Sequence, residues 1–197
     1  MTGYRVSPLS IDLARFHRRS LASLYSNLVT RPTGRAIRVG VEKQISGGGT
    51  NGTPCISILD FSQVRVLDFS CADEVVAKLL LRFRGGPGRA EVYFLARGLQ
   101  PHHEEAIEAV LERHGLRLAA EVTPDLYCLL GSREPLETAC WDALARRGRA
   151  NAAQVAGDAG VGEPVARTLL THLVEHRVAV PFERGVVCAL PELARAS

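Results

Sequence analysis

The most constraining feature of the sequence is a regular alternation of short apolar segments and amphipathic segments between residues 55 and 130. Short apolar runs bounded by turn residues predict strands, whereas apolar residues that recur every three or four positions predict helices. On these patterns, strands are predicted at residues 55–61, 64–67, 90–96, 117–122 and 126–130, and helices at residues 71–83 and 101–114. This order predicts an α+β fold in which helices pack on a sheet.

Residues 1–34 are predicted to form a helical arm that precedes the sheet. Within residues 8–30 apolar side chains recur at helical spacing, and Pro32 and Gly34 then end the helix. The stripe comprises Leu9, Leu13, Phe16, Leu24 and Leu28. Such a stripe is too apolar to remain in water, so we expect it to pack on the body of the protein or to form a homodimer with a second copy.

The segment after the arm is predicted to be a half-buried strand. Apolar residues alternate with polar or small ones from Ile37 to Glu42, which is the pattern of a strand with one buried face. The glycine-rich stretch Gly47–Gly52 lacks the Gly-Lys-Ser/Thr ending of a phosphate-binding loop. We therefore interpret it as a hairpin connection.

Composition indicates a soluble globular protein. Hydrophobic residues make up 46% of the 197 positions and charged residues 23%, and no run approaches the roughly 18 apolar residues of a membrane span. No apolar stretch near the N-terminus resembles a secretory signal. The five cysteines include no C-x-x-C pair, which argues against a disulfide framework or a zinc site. We expect a reducing, cytoplasmic location and no membrane association.

Positive charge is concentrated in the N-terminal part of the chain. Residues 1–46 carry eight basic and two acidic residues, a net charge of +6. Residues 47–131 carry eight basic and eleven acidic residues, and residues 132–197 carry eight of each. A basic N-terminal part indicates either an acidic partner or an ordinary solvated face.

The last third of the chain, residues 132–197, is predicted to be a separate winged-helix domain that begins near Gly131–Glu134. Three helices followed by a β-hairpin are typical of the winged helix-turn-helix. Helices are predicted at residues 134–147, 151–158 and 163–176, and hairpin strands at 177–181 and 186–190. Their buried side chains are predicted to include Leu136, Trp141, Leu144, Val165, Leu169, Leu170 and Leu173.

The most informative motifs lie between Leu59 and Glu74. Asp60-Phe61-Ser62 ends the first strand, and Asp68-Phe69-Ser70-Cys71-Ala72-Asp73-Glu74 leads into the following helix. This segment resembles the STAS domain of anti-sigma-factor antagonists, and more closely the STAS-like domains with an F-A-D-E signature. The resemblance covers residues 35–131 and implies a small mixed sheet with packed helices.

The resemblance also implies a role in protein binding. In that family a partner kinase often phosphorylates a Ser or Thr at the start of the helix. Ser70 is therefore implied as the candidate switch residue, with Asp60, Ser62, Asp68 and Asp73 in the switch loop. The chain has Asp68-Phe69-Ser70-Cys71 where the antagonist family tends to have Asp-Ser-Ser/Thr-Gly.

Ser70 has a second interpretation from the residues alone. The pattern Ser70-x-x-Asp73 before an apolar helix is that of a capping box, in which Ser70 satisfies a backbone amide at the helix start. The two interpretations are compatible, because a cap presents a hydroxyl where the helix dipole favours a phosphate. We interpret Cys71, which follows, as a small core residue.

A small enzyme that uses Asp60, Asp68 and Cys71 is an alternative from a different functional class. Together with Asp73 the acidic residues could bind Mg²⁺ or transfer protons. Strand-end acids before a helix fit the STAS-like pattern without catalysis. Adjacent histidines on a helix, such as those at 102 and 103, face different directions and make a poor chelate. We therefore predict no catalytic residue, no metal and no other cofactor.

The predicted winged helix raises the alternative of a DNA-binding transcriptional regulator whose STAS-like part senses a signal or dimerises. Phosphate contacts supply most non-specific DNA affinity and need Lys or Arg, which are sparse on the third helix. The candidate DNA-contacting residues are Arg146, Arg147, Arg149, Arg167, Thr171, His172 and Arg184. Our main hypothesis is a non-enzymatic cytoplasmic switch whose partner is a kinase, an ATPase or an anti-sigma-like protein.

Overall fold

The computed structural model describes residues 7–12, 27–47, 55–84, 92–183 and 185–195. The strands are β1 (Ser7–Asp12), β2 (Asn27–Leu28), β3 (Cys55–Asp60), β4 (Val66–Leu67), β5 (Val92–Arg97), β6 (Leu118–Thr123), β7 (Leu126–Leu130), β8 (Arg149–Asn151), β9 (Ala179–Glu183) and β10 (Val186–Ala189). The helices are α1 (Arg31–Gly47), α2 (residues 69–83), α3 (Pro101–His114), α4 (Pro135–Arg147), α5 (Ala152–Ala159), α6 (Glu163–Glu175) and α7 (Leu190–Arg195). The protein belongs to the α+β class, as predicted.

The main sheet has five strands in the order β1-β3-β5-β6-β7. The first four are parallel, and β7 pairs antiparallel with β6. Two smaller sheets accompany it: β2 and β4 form a short parallel pair, and β8, β10 and β9 form an antiparallel sheet near the C-terminus. The carboxyl ends of the parallel strands therefore share one edge of the main sheet, where Asp60 lies.

The main sheet is covered on both faces. Along β5 the side chains alternate: Val92, Phe94 and Ala96 join a core with α1, α2 and α3. Tyr93 and Leu95 join a second core with residues 140–193. Period-2 alternation places successive side chains on opposite faces, so the helices and the C-terminal unit, residues 132–195, sandwich the sheet. The sheet unit, residues 7–131, thus shares its second core with the C-terminal unit.

The predicted helix over residues 8–30 of the N-terminal arm is wrong where the structure describes the chain, and Pro32 and Gly34, which were predicted to end it, lie at the start of α1. Residues 7–12 are strand β1, which pairs with β3 in parallel register, and residues 27–28 are strand β2. Residues 13–26 lie outside the described residues. Leu9 and Ile11 are two positions apart, so this stretch also has strand periodicity, and pairing with the exposed edge of β3 favours the strand.

The predicted strand at residues 37–42 is also wrong, because this segment lies within helix α1. The buried apolar residues are Ile37, Val41 and Ile45, which are spaced by one helical turn, whereas Val39 is 37% exposed. The alternation of apolar residues from Ile37 to Glu42 therefore included both the buried and the exposed side of a helix. Residues 48–54, which hold most of the predicted hairpin connection, lie outside the described residues.

The elements from residue 55 onward follow the predicted order, except that strand β8 and helix α7 were not predicted. Helix α2 begins at residue 69, two residues before the predicted start, and α3 ends at Gly115, which has a left-handed φ of 59°. Two core assignments in the C-terminal unit are wrong: Leu136 is 52% exposed and Val165 is 43% exposed. Each lies one position away from the buried stripe of its helix, about 100° around the axis.

The neighbouring inward positions are occupied by buried Glu137 on α4 and by buried Ala166 on α6.

None of the described helices is long and apolar enough to cross a membrane.

The shared second core predicts a single cooperative unfolding transition for the whole chain. Leu173→Ala removes a fully buried side chain of α6 and should destabilise the chain by about 2–4 kcal/mol. The control Val165→Ala, on the exposed side of the same helix, should change stability little. Differential scanning calorimetry that shows a separate sheet transition unaffected by Leu173→Ala would contradict the shared core.

Candidate functional site

The N-terminus of α2 is capped by Asp68. Its Oδ1 accepts hydrogen bonds from the Cys71 amide at 2.7 Å and from Ser70 Oγ at 2.9 Å. The Asp68 amide in turn donates to the Leu28 carbonyl at 2.9 Å, which ties the helix start to β2. Ser70 is thus a partly exposed residue in the first turn of α2, with its hydroxyl held by the capping carboxylate.

The predicted capping box of Ser70 with Asp73 is wrong. The helix begins at Phe69, so Ser70 lies inside the first turn and Asp68 takes the cap position. Asp residues are at least as good as Ser at the cap, because the carboxylate accepts strongly from free backbone amides. Asp73 lies one turn further along and faces the interior, where it is 5% exposed.

Asp60 lies at the carboxyl end of β3 and is committed to local contacts. Its Oδ2 accepts from Arg97 Nε at 2.8 Å and Nη2 at 2.6 Å, and its Oδ1 accepts from the Ser62 amide at 3.0 Å. Burial acts to raise the pKa of Asp60, but these hydrogen bonds outweigh it and hold the pKa below its ordinary value. Asp60 is therefore an ionised anchor for the loop after β3.

The loops after β3 and β5 are in close contact. Gly98 has a φ of 68°, and a Cβ there would lie 2.7 Å from the Ser62 amide nitrogen. Glycine at this position permits both the left-handed backbone and the close approach. This contact keeps exposed Ser62 beside the Asp60–Arg97 pair.

Asp73 is the first of two buried acids in a π-helical turn of α2, Asp73–Ala77. It forms ion pairs with Arg31 at 3.0 Å and Lys78 at 3.4 Å, and its Oδ1 lies 2.9 Å from His114 Nε2. These partners come from α1, α2 and the end of α3. Asp73 therefore connects three helices. It was predicted to lie in the switch loop, but it lies within helix α2.

Glu74 is the second acid of the turn and is 3% exposed. It pairs with Arg31 at 3.3 Å, with Arg38 at 3.2 Å and, by a short contact, with Lys78. Burial acts to raise the pKa of Asp73 and of Glu74. Hydrogen bonds and charges of their partners, with His114 first for Asp73 and Lys78 first for Glu74, outweigh burial and lower both pKa values. We call Asp73, Glu74 and these partners the charge cluster.

Helix α1 approaches α2 closely beside the charge cluster. A Cβ on Gly34 would lie 3.0 Å from the Cys71 Cα and 3.0 Å from the Glu74 Cβ. Cys71 Sγ donates to the Thr30 carbonyl, and burial raises the pKa of its thiol to about 11. Cys71 is thus a buried core thiol, as predicted, and a poor nucleophile near neutral pH.

Exposed apolar side chains lie on the segments that meet at the start of α2. Val29 is 42% exposed, Val66 is 42% exposed and Phe69 is 38% exposed. Leu28 and Leu67, which pair in β2 and β4, are buried, whereas Val29, which follows Leu28, and Val66, which precedes Leu67, are exposed. The Arg113 guanidinium lies 5.9 Å from the centre of the Phe69 ring. We call Val29, Val66, Phe69 and Ser70 the Ser70 surface.

The structure divides the predicted switch-loop residues among three places. Asp60 and Ser62 meet at the end of β3, Asp68 and Ser70 meet at the start of α2, and Asp73 belongs to the charge cluster. The basic partners of these acids were not predicted from the sequence. Two adjacent acids, Asp73 and Glu74, within an apolar helical stretch could have indicated that basic side chains lie nearby, because buried carboxylates need partners.

No group of three or more His, Cys, Asp or Glu side chains among the described residues is placed to hold a metal ion. His102 Nε2 lies 2.7 Å from the Arg65 carbonyl, whereas His103 is fully buried. The Nδ1 of His103 accepts from the Gln100 amide at 3.1 Å at the start of α3. These two rings thus serve separate structural contacts.

The candidate DNA-contacting residues are mostly occupied by contacts within the protein. Arg147 forms a bidentate pair with Asp158, at 2.5 and 2.9 Å. The Arg149 guanidinium lies 4.2 Å from the centre of the Phe182 ring. Arg146 is exposed at the end of α4. Arg184, in the predicted wing, lies outside the described residues.

The candidates on α6 divide between its surface and its interior contacts. Arg167 and Thr171 are exposed, although Arg167 pairs with Glu163 at 2.5 Å. His172 contacts α4, where its Nδ1 lies 2.7 Å from Oε1 of buried Glu137. The exposed side of α6 therefore carries little uncompensated positive charge.

The charge cluster predicts a specific loss of stability for Glu74→Gln. The substitution removes one carboxylate partner from Arg38, which keeps Glu42, and one from Lys78, which keeps Asp73. We therefore expect a loss of about 1–3 kcal/mol. The control Glu112→Gln removes the partner of highly exposed Arg133 and should have a smaller effect. Urea unfolding of both variants measures the difference, and equal losses would contradict a stabilising cluster.

The lowered pKa values of Asp73 and Glu74 predict acid sensitivity. A carboxyl whose pKa is lower in the folded state stabilises the fold above its ordinary pKa, here 3.8 or 4.5. That contribution is lost as the pH falls through the folded pKa. We expect the free energy of unfolding to fall between about pH 5 and about pH 3, and to fall less in Glu74→Gln. Parallel pH profiles for wild type and variant would contradict this assignment.

Comparisons of the chain with protein-family models, with curated proteins and with solved structures find no match. The functional proposal therefore rests on the contacts of the described residues.

Proposed function

We propose that this protein is a non-enzymatic cytoplasmic regulator whose sheet unit is a STAS-like protein-interaction switch, with an appended winged helix. The observation that carries the proposal is the Ser70 surface. It combines a partly exposed hydroxyl at a helix N-terminus with three exposed apolar side chains. Exposed apolar clusters beside a modifiable polar residue are suited to a protein partner that must bind and be released.

The contacts of Ser70 indicate how a kinase would operate the switch. Transfer of the γ-phosphoryl group of ATP to Ser70 Oγ forms a new P–O bond and breaks the bond between the γ-phosphorus and the β,γ-bridging oxygen. ADP leaves, and the hydroxyl proton of Ser70 is released. Oγ then no longer donates to Asp68. The phosphate gains from the helix dipole, but the Asp68 carboxylate repels it. The modification would place a dianionic group among Val29, Val66 and Phe69, which makes docking of an apolar partner surface unfavourable.

The layout of the sheet unit supports the STAS-like assignment. A parallel strand that ends in Asp60 leads through a short loop to a helix that begins beside Asp68 and Ser70. Helices α1, α2 and α3 share one core with that face of the main sheet. In the C-terminal unit, α4, α5 and α6 followed by the β9–β10 hairpin support the winged-helix assignment.

The DNA-binding alternative has less support than the protein-interaction role. Specific DNA readers need cations free to contact phosphates, and Arg147 and Arg167 already form ion pairs. Both ring nitrogens of His172 already have partners within the C-terminal unit, Glu137 and His176. We therefore assign the C-terminal unit chiefly to packing on the sheet and to protein contacts.

A photo-crosslinking experiment tests the proposal. A benzoyl-phenylalanine at position 69 should crosslink a discrete kinase, ATPase or anti-sigma-like protein in a lysate of the source cells. The same residue at position 126, which is also exposed but lies on the β6–β7 hairpin, should not. Mass spectrometry of the crosslinked band identifies the partner. Crosslinks of equal yield at both positions would contradict a specific Ser70 surface.

The phosphorylation step has its own test in the same assay. Ser70→Asp should reduce crosslinking at position 69 by about tenfold, because one unfavourable charge at an apolar interface is worth 1 kcal/mol or more. The control Ser46→Asp places the same charge on the exposed side of α1 and should leave the crosslinking yield unchanged. An unchanged yield with Ser70→Asp would rule out the switch.

A further inference from the structure

Two arginines that pair with no carboxylate of the described residues border the Ser70 surface. Arg65 directly precedes Val66 in the chain, and the guanidinium of Arg113 lies 5.9 Å from the centre of the Phe69 ring. Both arginines are exposed, and neither forms an ion pair with another described residue. Val66 and Phe69 therefore each have a cation beside them that a binding partner can reach.

Helix α3 holds both arginines next to this surface. The helix packs against β4 and against the start of α2. In its first turn His102 Nε2 lies 2.7 Å from the Arg65 carbonyl, and in its last turn Arg113 reaches the Phe69 ring. Positions 102 and 113 are three helical turns apart, about 17 Å along the axis. The two arginines thus lie at opposite ends of one side of α3.

The acidic side chains of α3 lie on its other sides. The side that faces β4 and the start of α2 carries no acid and consists of residues 102, 106, 109 and 113. Glu108 Oε2 accepts from the Gly131 amide, and Glu112 pairs with Arg133. Glu105 is exposed and lies about 70° around the axis from the centre of the first side. Helix α3 therefore presents positive charge toward the Ser70 surface and negative charge away from it.

The acids near Ser70 are engaged in contacts within the protein. Asp68 accepts from the Ser70 hydroxyl and from the Cys71 amide, and the helix N-terminus adds partial positive charge beside it. Asp73 is buried and paired with Arg31. The Ser70 surface thus combines exposed apolar side chains with a positively charged border.

We propose that the Ser70 surface binds a segment of a partner protein in which apolar side chains are flanked by Asp or Glu. The apolar side chains of the segment cover Val29, Val66 and Phe69, and its carboxylates pair with Arg65 and Arg113. The planar guanidinium group offers two parallel donors to a carboxylate, which gives such pairs a defined geometry. This inference rests on the function proposed above and specifies the chemistry of the partner.

Two cations beside three apolar side chains fit a protein segment better than a membrane or a nucleic acid. Membrane-binding basic segments use clusters of roughly four to eight Lys or Arg residues, and nucleic acids need a row of phosphate contacts. An acidic partner also accounts for the direction of the switch. A phosphate on Ser70 has the same sign of charge as the partner's carboxylates, so it repels them.

Two synthetic peptides of opposite charge test this chemistry with the full-length protein. Both have capped ends, and they are built from repeated Glu-Leu-Ala-Glu units or repeated Lys-Leu-Ala-Lys units. The acidic peptide should shift the amide NMR signals of Val66 and Phe69 saturably, with a Kd on the order of millimolar. The basic peptide should bind more weakly by about tenfold or more.

Two results of this titration would overturn the proposal. The first is the absence of a saturable shift of the Val66 and Phe69 signals with the acidic peptide. The second is equal affinity for the two peptides, which would show an apolar surface without a charge preference, such as a dimer face. Co-sedimentation of the protein with phosphatidylserine vesicles, lost in Arg113→Glu, would indicate a membrane and overturn the choice of a protein partner.

Charge reversal locates the contacts of the acidic peptide. Arg113→Glu should weaken its binding by about tenfold, and Arg113→Gln, which removes the charge without reversing it, by about threefold. The control Lys43→Glu changes the net charge by the same amount at an exposed position of α1 and should leave the Kd unchanged. Equal weakening by Arg113→Glu and Lys43→Glu would show a general charge effect and overturn the proposal.

A double variant separates a direct contact from a loss of folding. Arg65→Glu combined with Arg113→Glu should reverse the preference, so that the basic peptide binds more tightly than the acidic one. A misfolded protein would not gain affinity for one peptide at these residues. A folded double variant that still prefers the acidic peptide would overturn the proposal.

Ser70→Asp distinguishes this inference from the switch itself. The substitution should weaken the acidic peptide, because it places a negative charge beside the peptide carboxylates. An acidic peptide that binds wild type and Ser70→Asp equally would support the docking chemistry and rule out the switch. Crosslinking at position 69 that is sensitive to Ser70→Asp but insensitive to Arg113→Glu would support the switch and overturn the acidic partner.

Discussion

The structure depends on the charge cluster within α2. Asp73 and Glu74 are carboxylates in a buried π-helical turn, a position that is unfavourable unless cations compensate both charges. Arg31 and Arg38 come from α1, and His114 comes from the end of α3. The need to pair these acids therefore fixes how three helices meet. A π-turn widens the helix locally and is frequent at sites where a side chain must reach a particular partner.

Helix α2 carries the cluster, and it also carries the Ser70 surface at its N-terminus. Beyond that first turn, the charge cluster and the core residues Val75, Val76 and Leu79 hold the helix against the main sheet. A change at Ser70 therefore acts at the end of a helix whose middle is fixed.

The sequence predicted most of the strands and helices after residue 55, although not β8 and α7, because their periodicity and their caps are local. Asn151 caps α5 and Gly115 ends α3, as short-range rules predict. The prediction from sequence failed for residues 8–12, because their structure is decided by pairing with β3, which lies far away in the chain. The candidate site was predicted only in part. Ser70 and Asp68 were found, but Arg31 and Arg38 lie 43 and 36 residues from Glu74, and only the tertiary fold brings them together.

The position of the charge cluster determines what a phosphate on Ser70 could change. Asp68 and Ser70 belong to the first turn of α2, and Asp73 begins the next. Repulsion between a phosphate and the Asp68 carboxylate would loosen the cap, whose amide contacts are worth about 1 kcal/mol. The turn that follows is held by Arg31, Arg38 and Lys78, so the loss of the cap cannot propagate into the core. A modification at Ser70 would therefore alter the charge and shape of the Ser70 surface while the fold beneath it persists, which is the property an interaction switch requires.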